Sequence, residues 1–270
     1  MFRSSTAALL AVLSVTALSA FGQNTAAPAP QAGARAPLGS PRPPLFFRED
    51  WTGHPAPRGC FNLHDAVCEP ALTQANVSNP HLELMLYGAG KQRVENGLVL
   101  GAVLIQGSNL FTGVAEQPYA VALRDKNNYV DLSGLGKIRW TLRASGLHVV
   151  HPIVKLADGT WLLGEHADGG NQFESQTFEH TVSEQRWIRL DIDKVVTLGP
   201  RVSEPVDVVK ARQLEQEFAV ARGVWRDASR VDLTKVDAVG FADLMPGSGH
   251  GYGGYIGMGA IEVYGKPVPR

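Results

Sequence analysis

The densest run of side chains able to do acid–base or hydrogen-bonding chemistry is Glu165-His166-Ala167-Asp168, a few positions after Trp161 in the string WLLGEHADGG. Two carboxyl groups and an imidazole beside an aromatic ring can exchange hydrogen bonds with sugar hydroxyls or transfer a proton. A polar loop between two strands has the same composition. A second stretch, residues 245–259, is rich in glycine, which lets a backbone approach a ligand closely, and its His250, Tyr252 and Tyr255 offer hydrogen bonds and a stacking face. Its length points to a purpose. No Lys-Ser/Thr of a phosphate loop follows it, which argues against a nucleotide cradle. Asp191 and Asp193 alternate in LDIDK. Retaining glycoside hydrolysis needs two carboxyl groups about 5 to 5.5 Å apart, and alternate strand positions supply that spacing; the plainer reading is the solvent side of an edge strand. There is no HExxH, calcium-loop or nucleophile-elbow motif, and Gly-Ser-Gly at 247–249 lacks the G-x-S-x-G spacing. The ligand-binding candidates are therefore Trp161, Glu165, His166, Asp168, His250, Tyr252 and Tyr255, and no residue is assigned a catalytic role.

These candidates must be positioned by strands. Leu82, Leu84 and Leu86 alternate with His81, Glu83, Met85 and Tyr87, the period-two pattern of a strand with one buried and one solvent face. KIRWTL places Ile138, Trp140 and Leu142 on one side, and RWIRLDI repeats the pattern with Trp187, Ile188, Leu190 and Ile192. Further strands are expected at 44–51, 96–106, 119–123, 149–156, 160–164, 173–182, 236–242 and 260–264, with turns at 128–134 and Ala157-Asp158-Gly159. Residues 205–224 break the pattern: Val208, Val209, Ala211, Leu214, Phe218 and Ala221 recur at helical spacing. Many short strands at roughly ten-residue intervals predict an all-β fold, a β-sandwich or jelly roll of two antiparallel sheets with one inserted amphipathic helix.

The N-terminal residues predict the compartment. Arg3 precedes an apolar, small-residue run over 7–20, shorter than the roughly 20 residues a transmembrane helix needs. This is expected to be a signal peptide (1–22) cleaved after Gly22, so that no membrane span remains. A Pro/Ala-rich leader follows over 23–44, and a single domain over 45–270. In an oxidising compartment Cys60 and Cys68, the only cysteines, are expected to join. His64 between them would suit a metal, but a structural zinc takes a full tetrahedral set and no second pair exists. A net charge of -1 and a pI near 6.7 leave no basic excess for a nucleic-acid backbone or an anionic membrane.

Residues 128–264 resemble the galactose-binding-like β-jelly roll of carbohydrate-binding modules. The matching features, in order, are a DLSG turn at 131–134, KIRW, the DG hairpin of LADGTW, RWIRLDI, VDLTKVDAVGF at 231–241 and IEVYG at 261–265. LFFREDW and NPHLELMLYG are similar, more loosely, to secreted bacterial 3-keto-disaccharide hydrolase-like and family 16 glycosidase-like proteins, but the E-x-D-x-x-E string of a family 16 site is absent. The resemblance implies a carbohydrate partner, and the N-terminal segment a secreted or periplasmic location. It implies no cofactor beyond a structural calcium, to which Glu49, Asp50 and Glu262 would contribute oxygens. Carbohydrate binding without catalysis is the leading expectation. A glycosidase-like hydrolase using Glu165, Asp168 or the Asp191/Asp193 pair is the alternative, and a ligand-free structural or adhesive envelope protein is a third.

Overall fold

The structure is a computed structural model that describes residues 42–53, 71–88, 93–95, 98–100, 104–106, 109–112, 117–145, 148–198, 225–244 and 255–270. The expected signal peptide, the leader up to residue 41, the Cys60/Cys68 pair, the helix over 205–224, and His250 and Tyr252 lie outside the described residues.

The strands are β1 (Leu45–Glu49), β2 (Leu82–Gly88), β3 (Arg93–Glu95), β4 (Leu98–Leu100), β5 (Leu104–Gln106), β6 (Asn109–Phe111), β7 (Tyr119–Asp125), β8 (Asn128–Asp131) and β9 (Lys137–Ser145). They continue as β10 (His151–Leu156), β11 (Trp161–Gly164), β12 (Gln176–Thr181), β13 (Arg186–Asp191), β14 (Val196–Thr197), β15 (Arg226–Asp227), β16 (Val236–Asp243), β17 (Tyr255–Tyr264) and β18 (Lys266–Pro269). Besides short 3-10 turns, no helix occurs among the described residues. A six-stranded sheet runs β12-β9-β17-β6-β5, with β1 also paired to β17. A ten-stranded sheet runs β14-β13-β11-β10-β16-β7-β2, with β15, β8 and β18 attached, and β3 and β4 form a separate hairpin. All pairings are antiparallel, and the all-β sandwich of jelly-roll type expected from the sequence is what forms.

The two sheets face each other across one core. Ile138, Trp140 and Leu142 of β9 and Ile256, Met258, Ile261 and Val263 of β17 meet Leu82, Val121, Leu123, Val154, Leu162, Trp187, Val239 and Phe241 of the ten-stranded sheet. The edge-to-face contact of Trp140 with Phe241, 6.5 Å between ring centroids, joins the two layers, and Tyr119 of the same sheet as Phe241 packs edge-to-face on it at 6.5 Å.

The ten-stranded sheet departs from the simple alternating scheme, because its other face is apolar and buried too. Ala120 and Ala122 (β7), Ala238 and Ala242 (β16), Ile153 (β10), Trp161 and Leu163 (β11) and Ile188 and Leu190 (β13) form a second cluster, with Met85, Tyr87 and Ile192 packed on it. Met85 and Tyr87, expected to face solvent, are half-buried there, and Ile188 faces away from Trp187. Continuous apolar runs such as YAVAL are the signature of strands buried on both faces. Other assignments also change. Residues 128–131 are strand β8 rather than a turn, and β8 pairs with β18, whose two prolines hide a strand on paper. Residues 173–175 precede β12 and belong to a loop.

The chain entry is locked by Glu49, whose side chain is fully buried. One carboxylate oxygen accepts from the Trp51 N–H (2.6 Å), the Ser78 N–H (2.9 Å) and the Ser78 hydroxyl (2.9 Å), and the other accepts from the Asn79 N–H (3.0 Å). The bond to Trp51 accompanies a left-handed backbone there, φ 60°, a strained conformation for an indole-bearing residue. Glu49→Gln converts one acceptor oxygen into a donor facing N–H groups. It is expected to lower stability by about 1–3 kcal/mol, read as a lower urea midpoint at unchanged m-value; an unchanged midpoint would show that the knot is not a stabilising contact.

Candidate functional site

The outward face of the six-stranded sheet is built in rows, because directly paired residues of antiparallel strands project to the same side. With Trp140, Leu142 and Ala144 turned into the core, Arg139, Thr141, Arg143 and Ser145 point out. One row crosses the sheet as Glu179, Arg139, Glu262 and Arg48. Glu262 binds both guanidinium groups and accepts from the Tyr264 hydroxyl at 2.7 Å. Burial alone would raise its pKa; Tyr264, Arg48 and Arg139 together hold the carboxyl below its ordinary range. Lys137 pairs with Glu179 at 2.6 Å. This half of the face is charged and internally compensated.

The other half differs. Thr177, Thr141 and Ala260 make a shallow row of small residues, and the next row is Arg143, Gly257 and Phe111, with Tyr255 opposite Ser145 beyond it. Arg143 lies across Gly257: a Cβ built there would stand 3.3 Å from the Arg143 Nε. Tyr255 packs on Phe111 with ring centroids 5.2 Å apart.

The 165–175 loop closes the rim beside this half-face. Gly170 rests on β9, where a Cβ would sit 2.8 Å from the Ala144 nitrogen and 3.1 Å from the Arg143 Cα, so only glycine fits. Asn171 accepts the Ala144 N–H through its backbone oxygen (3.3 Å). Its side-chain oxygen accepts from the N–H groups of Phe173 (2.9 Å) and Glu174 (2.7 Å), an Asx turn that presents Phe173, 82% exposed, to solvent. The Tyr255 hydroxyl donates to the Gln172 carbonyl at 3.2 Å, so one residue of the glycine-rich stretch meets this loop.

Asp168 pins the loop from beneath. One of its oxygens accepts from the Trp140 indole N–H (2.7 Å) and pairs with His180 Nε2 (2.5 Å), and its backbone exchanges two hydrogen bonds with Val150. Asp168 and His180 are both buried, so the carboxylate is spent on holding β9, β12 and the loop together. Exposed His166 stacks on His180 at 5.8 Å. Glu165 engages Arg186 through Oε2 (2.5 and 2.7 Å) and accepts its backbone N–H (3.0 Å), hydrogen bonds that hold the Glu165 carboxyl below its ordinary range.

Several expected site residues sit elsewhere. Trp161 is buried in the second apolar layer, edge-to-face with Tyr87 at 5.3 Å, and does not offer its ring to a ligand. Asp191 ends β13 and Asp193 lies in the following turn, so the two do not share a strand face; Asp191 instead accepts from the Lys194 N–H at 3.3 Å. Glu49, Asp50 and Glu262 do not form an oxygen cage: Glu49 faces N–H donors, Asp50 accepts from the Thr52 and Ser78 hydroxyls, and Glu262 lies between guanidinium groups. Among the described residues no group of three or more His, Cys, Asp or Glu side chains is placed to hold a metal ion. A buried pair not singled out in the sequence, His148 Nδ1 with Asp243 at 2.6 Å, lies at the same end of the sandwich; the bond to Asp243 raises the His148 pKa against the opposing effect of burial. Arg143, Phe111 and Phe173 were also missed. The alternation of KIRWTLRAS already turns Arg143 outward, but its aromatic neighbours come from distant strands.

No protein-family model and no curated protein matches the chain. Solved structures do. The family 11 carbohydrate-binding module of a cellulosomal cellulase of Clostridium thermocellum aligns at 12% identity over 70% of this chain and 85% of the module, with a TM-score of 0.34. A structure from work on endo-acting O-glycanases of the human gut microbiota aligns at 9% identity over 82% of this chain and 99% of that one, TM-score 0.37. An exo-beta-agarase aligns at 9% identity and TM-score 0.33; it covers 71% of this chain, which spans only 24% of the agarase.

Asp168→Asn keeps the shape but removes the charge that two donors share. Stability is expected to fall by about 1–3 kcal/mol, with faster amide exchange at Asp168 and Asn171; wild-type exchange in the variant would mean that the loop is held by other contacts.

Proposed function

We propose that the protein is an exported carbohydrate-binding protein that holds a poly- or oligosaccharide without transforming it. The observation that carries this reading is the composition of one half-face: Tyr255 packed on Phe111, exposed Phe173 on its Asx turn, and Arg143 with the polar groups of Ser145 and Asn171, around a floor of Gly257, Thr141 and Ala260. A pyranose has flat C–H faces that stack on aromatic rings and a rim of hydroxyls that need donors and acceptors, and this half-face supplies both. His166 and Glu165 extend the polar rim along the same loop.

The engagement of the candidate carboxylates supports binding over catalysis. Glu165 is tied to Arg186, Asp168 to Trp140 and His180, and Asp191 and Asp193 occupy different elements. Export is supported by the charged start and apolar run of residues 1–22. Among the described residues no helix is long and apolar enough to cross a membrane.

Affinity electrophoresis against a panel of neutral and acidic polysaccharides checks the reading. At least one polymer is expected to retard the protein, and Tyr255→Ala or Phe173→Ala to weaken that retention about fivefold, the loss of one stacking contact worth about 1 kcal/mol. Absence of retardation by every polymer, or release of reducing sugar by the wild type, would overturn it.

A further inference from the structure

On the outward face of the six-stranded sheet, three of the four described cations are paired with carboxylates in place. Arg48 and Arg139 share Glu262, with Asp50 also 3.9 Å from Arg48, and Lys137 binds Glu179. The fourth, Arg143, has no hydrogen-bond or ion-pair partner among the described residues. It is nevertheless not a freely waving surface arginine. Its stem is flattened over Gly257, it is half-buried, and it sits in register with Phe111 and one row from Tyr255, beside the loop held at Gly170 and Asn171. A guanidinium so confined has lost much of its rotamer freedom before any ligand arrives, which lowers the entropic cost of binding an anion.

We infer that Arg143 receives the carboxylate of an acidic sugar, making the ligand a uronate-containing saccharide; this rests on the carbohydrate-binding reading above. A carboxylate is planar and matches the guanidinium fork with two parallel N–H···O bonds. Its pyranose ring, one bond away, would then lie over Gly257 and the row of Thr141 and Ala260, where no bulky side chain stands among the described residues, with a C–H face against Tyr255 and Phe111. Arg143 alone of the described cations on this face is without a carboxylate partner, because Arg139, Arg48 and Lys137 already have theirs. A single cation without a partner among the described residues, beside aromatic rings, suits one carboxylate per sugar; a densely sulfated chain would call for a continuous basic strip.

Retention of the full chain on polygalacturonate, alginate and glucuronoxylan is compared with retention on the same polymers after their carboxyl groups have been reduced to hydroxymethyl groups, with neutral β-glucan and dextran sulfate alongside. At least one native uronate polymer is expected to be bound ten or more times more tightly than its reduced form, with affinity falling as salt is raised. Arg143→Ala should abolish the difference between native and reduced polymer, and Arg143→Lys should keep part of it, since it keeps the charge and loses the fork. Circular dichroism and the urea midpoint establish that both variants are folded; should Arg143→Ala unfold, the Arg143→Lys protein and the native/reduced comparison still decide. Equal binding of native and reduced polymers, preference for dextran sulfate, or an Arg143→Ala protein that still discriminates would overturn the assignment. Binding confined to neutral polymers would do the same while leaving the carbohydrate-binding reading intact, and binding to none of the polymers would end both.

Discussion

The geometry of the candidate site depends on one buried carboxylate. Asp168 draws the Trp140 indole and the His180 imidazole onto a single oxygen, while its backbone bridges to Val150. Trp140 belongs to β9 at the centre of the core, His180 to the neighbouring edge strand β12, and Asp168 to the loop between β11 and β12. A loop of mostly polar residues has little apolar area to bury and would otherwise be fixed only by weak surface contacts. Tying its charge to two buried donors gives it the rigidity of the sheet, and leaving any of the three groups without its partners inside the protein would be costly. Gly170 and Asn171 then fall against β9, and Phe173 is displayed at a defined place beside Tyr255 and Arg143.

Electrostatic compensation divides the outward sheet face in two. Asp50, Glu262 and Glu179 pair with the cations around them, and on the other sheet Asp237 is shared by Arg124, Lys155 and Arg270, with Glu83 also on Arg124. Such networks position side chains and contribute little net stability where they are exposed. Their consequence for function is contrast: among the described residues, the half-face that carries Arg143, Phe111 and Tyr255 is where a cation stands without a carboxylate partner beside aromatic rings.

Much of the sandwich was legible in the sequence, because strand periodicity is a local property. KIRWTL, HLELMLY and the LADGTW hairpin each fix a strand and its inward side from a handful of residues. The second apolar layer was harder, since a run such as YAVAL marks a strand buried on both faces without saying which distant strands share the second face. Strand β18 was hidden by prolines that are tolerated only because it lies at the end of its sheet. For the site, the sequence drew attention to Glu165, His166, Asp168 and Tyr255 but gave Asp168 the wrong task, because nothing local reveals that Trp140 and His180 converge on it. Trp161 was misread for the same reason. Arg143 and Phe111 could not be joined on paper at all: their neighbourhood exists only through the register of β6, β17 and β9.

The account stands on a saccharide lying across the outward face of the six-stranded sheet. Amide and guanidinium NMR of the isotope-labelled protein, titrated with an oligosaccharide cut from whichever polymer retains it, tests this most directly. The account predicts that shifts concentrate at Arg143, Gly257, Tyr255 and residues 171–173, with the Arg143 Nε–H among the most perturbed, while the Ala120, Ala122 and Trp161 layer stays unchanged. Shifts that cluster on the ten-stranded sheet instead, with those of Arg143 and Tyr255 unmoved, would contradict it.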